Sequence, residues 1–232
     1  MKVSYLVVVC MMLSLSCALA SENLELKTEK DKISYALGVS TGMNFKRNAI
    51  DIDLKIYEQG LKDALTGGKL LLTDEEMRAV ITAVQKDVQA RQQEQMKLLA
   101  EKNKQEGEIF LRQNKNKKGV KELPSGLQYT VIRDGKGRQP NASDAVTVNY
   151  RGMLIDGTEF DSSYTRGQPV TFVVNGVIKG WTEALQLMKE GSKWRLFIPA
   201  DLAYGDRGTL GGPIGPNAVL IFEVELLKIE GK

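Results

Sequence analysis

Apolar residues recur at helical spacing from residue 29 to residue 67. Ile33, Ala36, Leu37, Ser40 and Thr41 fall on one face, and Gly38 with Gly42 forms a small surface that another helix can approach closely. A second helix is expected from about Leu54, capped by Asp53, to the stop at Gly67-Gly68, with Tyr57, Leu61 and Leu65 on its apolar side. A segment of about 45 residues is too short to bury a core of its own. Met43, Phe45 and Ile50 are therefore expected to pack against another chain, the alternative being the C-terminal part of the same chain.

Thr73-Asp74-Glu75-Glu76 has the form of a capping box, and no proline occurs before Pro124. The pattern predicts one helix running to about Asn114, roughly 60 Å long at 1.5 Å per residue. Met77, Val80, Ile81, Val84 and Val88 keep core spacing, whereas Ala90 to Gln105 is largely Lys, Glu, Gln and Arg and is expected to be exposed on most sides. Mixed charge signs and missing aromatics favour a structural stalk over a nucleic-acid or membrane-surface element.

The pattern changes after residue 118. All six prolines and 16 of the 22 glycines lie beyond it, so the boundary is expected near Gly119 to Pro124, with Asn114 to Lys118 as a solvated helix end or hinge. Strands are predicted at Leu127 to Arg133, Ala145 to Leu154, Val170 to Val174, Lys193 to Pro199 and Val219 to Ile229. In the last of these, Leu220, Phe222, Val224 and Leu226 alternate with polar neighbours, so one face is buried. Trp181 to Met188 instead reads as a short helix with one apolar side, and a sheet wrapping that helix covers both surfaces. The expected fold class is α+β, divided into a leader at 1–20, a helical domain at 21–72, a long connecting helix at 73–118 and an antiparallel-sheet domain at 119–232.

Composition narrows the chemistry. The 232 residues include no histidine, which excludes Ser-His and Cys-His catalytic pairs and His-ligated zinc or haem. One charge (Lys2), an apolar run from Val3 to Leu15 and Ala18-Leu19-Ala20 have the three parts of a secretory leader, with cleavage expected after Ala20. The run is too short for an uncleaved anchor, and Ser14 argues against a lipoprotein signal at Cys17. Both cysteines, Cys10 and Cys17, leave with the leader, so neither a disulfide nor a thiol nucleophile is expected in the exported chain. A net charge of +3 is too even to predict nucleic-acid binding. No phosphate loop, dinucleotide fingerprint or EF-hand spacing occurs, so the glycines from Gly205 to Gly215 read as a loop, and no metal or cofactor is expected.

Four segments in order carry a resemblance. YRGMLIDGTEFDSS at 150–163, VIKGW at 177–181, AYG at 203–205 and the terminal LIFEVELLKIE resemble the FKBP-type peptidyl-prolyl cis-trans isomerases. With the helical N-terminal part, the long helix and the leader, the whole chain resembles their macrophage infectivity potentiator (Mip) subfamily. That resemblance implies an FKBP-like sheet wrapped around a short helix, a homodimer made by the N-terminal helices, and long helices holding two catalytic domains apart. It also implies proline-containing peptides and protein clients as substrates, macrolides of the FK506/rapamycin type as inhibitors, and a periplasmic, outer-membrane or cell-surface location in a Gram-negative bacterium.

Carried over residue by residue, the resemblance places Asp161, Tyr204, Trp181 and Phe160 in the catalytic pocket, with Tyr150, Arg166, Val170, Val177, Ile178, Ile214 and Phe222 binding substrate. Trp181 would form the floor, aromatic residues the walls, and Asp161, oriented by Arg166, the polar group together with Tyr204. This sequence departs from the family pattern at two places. Val170 stands where an aromatic residue is frequent, and the strand before Val177 is about two residues shorter, with Gly176 at a position often acidic. The implied reaction breaks no bond and needs no imidazole. The competing readings are a chaperone or binding module that holds proline segments with little turnover, and a mainly structural dimer displaying its pocket domain to a partner.

Overall fold

The computed structural model describes residues 25–209 and 211–230; the leader expected at 1–20 lies outside the described residues. The chain separates into two compact units, one up to Thr73 and one from Asp74 onward.

In the first unit, α1 spans Glu29–Arg47 and α2 spans Leu54–Thr66. Thr28 caps α1 by accepting from the backbone of Asp31, and the Asp31 carboxylate accepts in return from the Thr28 N–H at 2.8 Å. Asp53 caps α2 by accepting from the backbone N–H groups of Lys55 and Ile56, and Gly67 closes it in a left-handed conformation. Phe45 meets Tyr57 edge to face, with ring centroids 5.4 Å apart. Neither helix contains a buried residue. Met43, Leu61 and Leu65 are all more than half exposed, the outcome expected of amphipathic helices whose covering surface is not this unit.

The second unit opens with α3, Asp74–Asn114, a 41-residue helix. Its first half leaves Val80, Ile81 and Val84 exposed. Its second half does not stand free: Gly107 is buried against Val219, and Phe110 packs on Phe197 with ring centroids 6.0 Å apart. Of the solvated helix end or hinge expected over Asn114 to Lys118, residues 115–118 are exposed and only Asn114 is corrected. Asn114 is only 1% exposed, and its side-chain amide donates to Gln128 Oε1 at 3.0 Å, while Gln128 Nε2 donates to the Leu111 carbonyl at 3.0 Å. Composition does not show which polar group of such a run finds a buried partner.

The sheet is antiparallel throughout, in the order β1 (Lys121–Glu122), β2 (Gln128–Arg133), β6 (Lys193–Ile198), β7 (Leu220–Glu230), β3 (Ala145–Leu154) and β4 (Glu159–Ser162). β5 (Val170–Val173) pairs with β3 at residues 145–148, so β4 and β5 succeed one another along one edge of β3. The alternation read in the sequence is the burial pattern of the central strands: Val146, Val148 and Tyr150 on β3, and Leu220, Phe222, Val224 and Leu226 on β7, face one core. α4, Lys179–Leu187, lies on that face and buries Trp181, Ala184 and Leu185 there. The two-residue β1 and the four-residue β4 were not among the expected strands: β1 is too short to show alternation, and β4, Glu-Phe-Asp-Ser, lacks the β-branched run that marks β5.

Candidate active site

A cleft of about 620 Å³ opens where α4, the β3–β4 edge and the loops after β6 meet. Its floor is Trp181, in the first turn of α4 and 4% exposed. Three rings stand almost perpendicular to this indole: Tyr150 at 5.2 Å and 87°, Phe222 at 5.2 Å and 83°, and Phe172 at 5.9 Å and 86° between centroids. Phe160 meets Phe222 in the same edge-to-face manner at 5.5 Å. Such pairs place the positive ring edge on the negative face of the next ring, which adds about 0.5–1.5 kcal/mol per pair beyond burial and fixes the wall geometry.

Local backbone structure aims these groups. Adjacent residues of a regular strand point to opposite faces, yet Phe160 and Asp161 both line the cleft. The β3–β4 ladder shifts register between Gly152 and Met153, opposite these two residues, and a bulge of this kind turns a side chain that would otherwise face away. Gly152 is required by the rings: a Cβ there would lie 2.7 Å from both Phe160 and Phe222 side-chain atoms.

The polar edge is a three-membered cluster. Tyr150 donates its hydroxyl to Asp161 Oδ2 at 2.5 Å, and Arg166 donates to Asp161 Oδ1 and, at 2.6 Å, to the Tyr150 oxygen. Burial pushes the Asp161 carboxyl up, but the hydrogen bonds from Tyr150 and Arg166 outweigh it and hold the group below its ordinary value. Burial, and then the bond to Asp161, pushes the Tyr150 phenol up. Asp161 is therefore a fixed carboxylate with both oxygens occupied, and Tyr150 a fixed neutral donor.

Of the residues expected in the site, Tyr150, Phe160, Asp161, Val177, Ile178, Trp181, Tyr204, Ile214 and Phe222 line this cleft. Arg166 stands outside the lining and acts on it through Asp161 and Tyr150. Val170 does not line it; paired with Val148 on β5, it packs against the core. The aromatic wall on β5 comes instead from Phe172, two positions along the strand and therefore on the same face. The period of two between Val170 and Phe172 was the available signal for that shift. Gly176 and Pro213 complete the lining.

Comparison with known proteins shows the family. A family model described as FKBP-type peptidyl-prolyl cis-trans isomerase matches residues 136–227, and one described as the domain amino terminal to FKBP-type peptidyl-prolyl isomerase matches residues 30–131. The chain is 48% identical over 231 residues to the outer membrane protein MIP of Legionella longbeachae, spanning 99% of each. It is 48% identical over 207 residues to the peptidyl-prolyl cis-trans isomerase Mip of Coxiella burnetii, spanning 89% of this chain and 90% of that one. The crystal structure of FkpA from Escherichia coli superposes with a TM-score of 0.68 at 40% identity, covering 89% of this chain and 99% of FkpA. Likeness over nearly the whole length, joined to an aromatic cleft with a polar edge, leads to one conclusion: the chain belongs to the FKBP-type peptidyl-prolyl cis-trans isomerases, in their Mip-like subfamily.

Proposed function

We propose that the Trp181 cleft is where this isomerase rotates X-Pro bonds, with Trp181, Phe160, Phe172, Ile178 and Phe222 gripping the proline ring. Rotation about an amide costs about 18–20 kcal/mol because resonance is lost in the twisted state, so the uncatalysed reaction takes tens to hundreds of seconds. The twisted amide is less dipolar than the planar one, and an apolar aromatic cleft destabilises it less than the planar form. Tyr204, 41% exposed at the rim, donates to a substrate carbonyl and holds the flanking backbone. Asp161 contributes a fixed charge beside the rotating amide. Held as a carboxylate by Tyr150 and Arg166, it supplies no proton.

The observation that carries this reading is the indole floor ringed by three perpendicular aromatics with the Asp161 cluster at its edge. Its test is turnover of a short X-Pro peptide. Asp161→Leu is expected to lower turnover by about 100-fold, the scale on which one preorganised polar group acts. Tyr204→Phe is expected to lower it less, with cooperative unfolding retained in both. Undiminished turnover in both variants overturns the site. A macrolide of the FK506/rapamycin type is expected to compete with the peptide for the same cleft.

The exposed apolar faces of α1 and α2 support homodimerisation through the first unit. Two clefts joined in this way would engage one unfolded client together, raising effective concentration with no new contact. Likeness to an outer membrane protein of Legionella supports a site of action outside the cytoplasm, at the outer membrane or in the periplasm. Among the described residues no helix is long and apolar enough to cross a membrane.

A further inference from the structure

The cleft wall on the Tyr204 side is one irregular segment. Tyr204, Pro213 and Ile214 all line the cleft, yet between residues 204 and 217 the only regular element among the described residues is a single 3-10 turn at Gly205–Arg207. Bonds within the segment shape it: the Thr209 N–H donates to the Ile214 carbonyl at 2.9 Å, the Ile214 N–H to Thr209 Oγ1 at 3.2 Å, and the Asn217 N–H to the Gly205 carbonyl at 2.8 Å. None of these three ties the segment to another element.

Packing fixes only part of it: Ile214, 4% exposed, joins the core, while Pro213 is exposed. A second cleft of about 370 Å³ is lined by Leu99 and Asn103 of α3 and by Pro213 and Gly215 of the loop. Pro213 therefore borders open space on both sides, one of them the catalytic cleft. Where room lies behind the wall, at Pro213, packing holds it less and directional contacts matter more.

Two amides supply them. Asn103 Nδ2 on α3 donates to the Pro216 carbonyl at 2.8 Å, and Asn217 Nδ2 donates back to the Ala100 carbonyl at 3.3 Å. Between them the loop backbone runs close to the helix: a Cβ on Gly215 would stand 3.0 Å from Asn103 Nδ2 and 3.1 Å from Leu99 Cδ2. Asn217 has φ 55°, a left-handed conformation that asparagine tolerates, and its main-chain bond reaches the residue next to Tyr204.

We propose that Asn103 and Asn217 are positioning residues of the isomerase: through them α3 clasps the loop from behind and sets the Pro213–Ile214 wall against which the X-Pro segment binds. The proposal rests on the Trp181 cleft being the substrate site. The Asp161, Tyr150 and Arg166 cluster lies on β3, β4 and the turn that follows, away from the clasp. Loosening the clasp thus acts first on binding at the Pro213–Ile214 wall and leaves the Asp161 cluster in place.

The test uses the full chain and a short X-Pro peptide, with kcat and KM measured separately and a thermal melt for each variant. Asn103→Asp keeps the side-chain shape but puts an acceptor opposite the Pro216 carbonyl. Asn217→Gly keeps the left-handed backbone and its main-chain bond and removes only the amide. Each is expected to raise KM about 3- to 10-fold, the net worth of one hydrogen bond, with kcat changed less than about 2-fold. Asn103→Gln, which keeps a donor, is expected to restore part of the KM. Unchanged KM in folded Asn103→Asp and Asn217→Gly overturns the proposal, as does a fall in kcat at constant KM. Should Asn103→Asp fail to fold, Asn217→Gly decides alone. Asp161→Leu in the same assay keeps the two claims apart: full turnover there sinks the site, whereas lost turnover there with unchanged KM in the clasp variants sinks the clasp only.

Discussion

The two units of this chain use the same ingredients to different ends. α1 and α2 carry leucines, isoleucines and tyrosines at helical spacing and bury none of them, whereas β3, β6, β7 and α4 carry a similar complement and enclose a core that includes Leu185, Leu196, Leu220 and Leu226 at 0% exposure. Periodicity states that a face will be covered and is silent about what covers it. α3 contains both cases in one helix: Val80, Ile81 and Val84 are exposed, and 23 or more residues further on Gly107 and Asn114 are buried against the sheet.

The contrast can be broken at its most enclosed point first. Trp181→Ala in α4 is expected to destabilise the sheet domain by about 3–5 kcal/mol, independently of protein concentration, and to abolish cleft binding. Chemical denaturation at two concentrations checks both parts, and a loss that scales with concentration would erase the distinction between the units.

A charge on the exposed face of α2 is expected to act in the opposite way. Leu61→Asp leaves the cleft and short-peptide turnover per catalytic domain intact but weakens self-association about 10- to 100-fold, because an unpaired carboxylate is then buried on association. Sedimentation at micromolar concentration decides this. A parent chain that is already monomeric would return the apolar faces of α1 and α2 to some other partner.

The division of α3 is sharpened by moving the start of the chain. A piece beginning at residue 119 lacks Phe110 against Phe197, the Leu111 carbonyl that accepts from Gln128, and the Asn114–Gln128 pair. It is expected to be about 2 kcal/mol less stable than a piece beginning at residue 93, from lost burial of those side chains. It is also expected to bind peptide more weakly, since the Asn103 clasp goes with the helix. Equal stability would make all of α3 the stalk its composition describes.

The smallest expected effect is that of pH. The folded-state pKa of Asp161 lies below its unfolded value, so the stabilisation from its partners is complete above the unfolded value and is lost as pH falls through the folded one. Turnover is expected to be flat through neutrality and to decline only below the ordinary carboxylate range. With Asp161 and Arg166 both more than a third exposed, the accompanying stability change is small. A titration of activity near neutrality would assign the reaction a different group.

Much of the site was legible because its residues sit in short segments whose chemistry is local. Asp161 and Phe160 share one four-residue strand, Ile178 and Trp181 share one helix start, and Tyr204 follows one 3-10 turn. Phe172 was not assigned to the site, because placing it there depends on how β5 registers against β3 and so on which side chain reaches the indole. The clasp was less visible still. Asn103 and Pro216 are 113 residues apart, and an asparagine in a charge-rich helix differs in no local property from its solvated neighbours.

What the sequence determined by itself was whatever depends on near neighbours: the cap Asp53 and the stop at Gly67, the helical and two-residue periods, and a reaction restricted to one that needs no histidine. Tertiary structure alone decided which of two equally apolar surfaces became a core, which end of α3 was packed, and where the wall of the cleft stands. The physical reason is range. Backbone hydrogen bonds and side-chain spacing act over a few residues and leave a mark in the sequence, whereas burial and polar pairing across a hundred residues depend on the assembled surfaces, and the residues that make those contacts acquire their role only there.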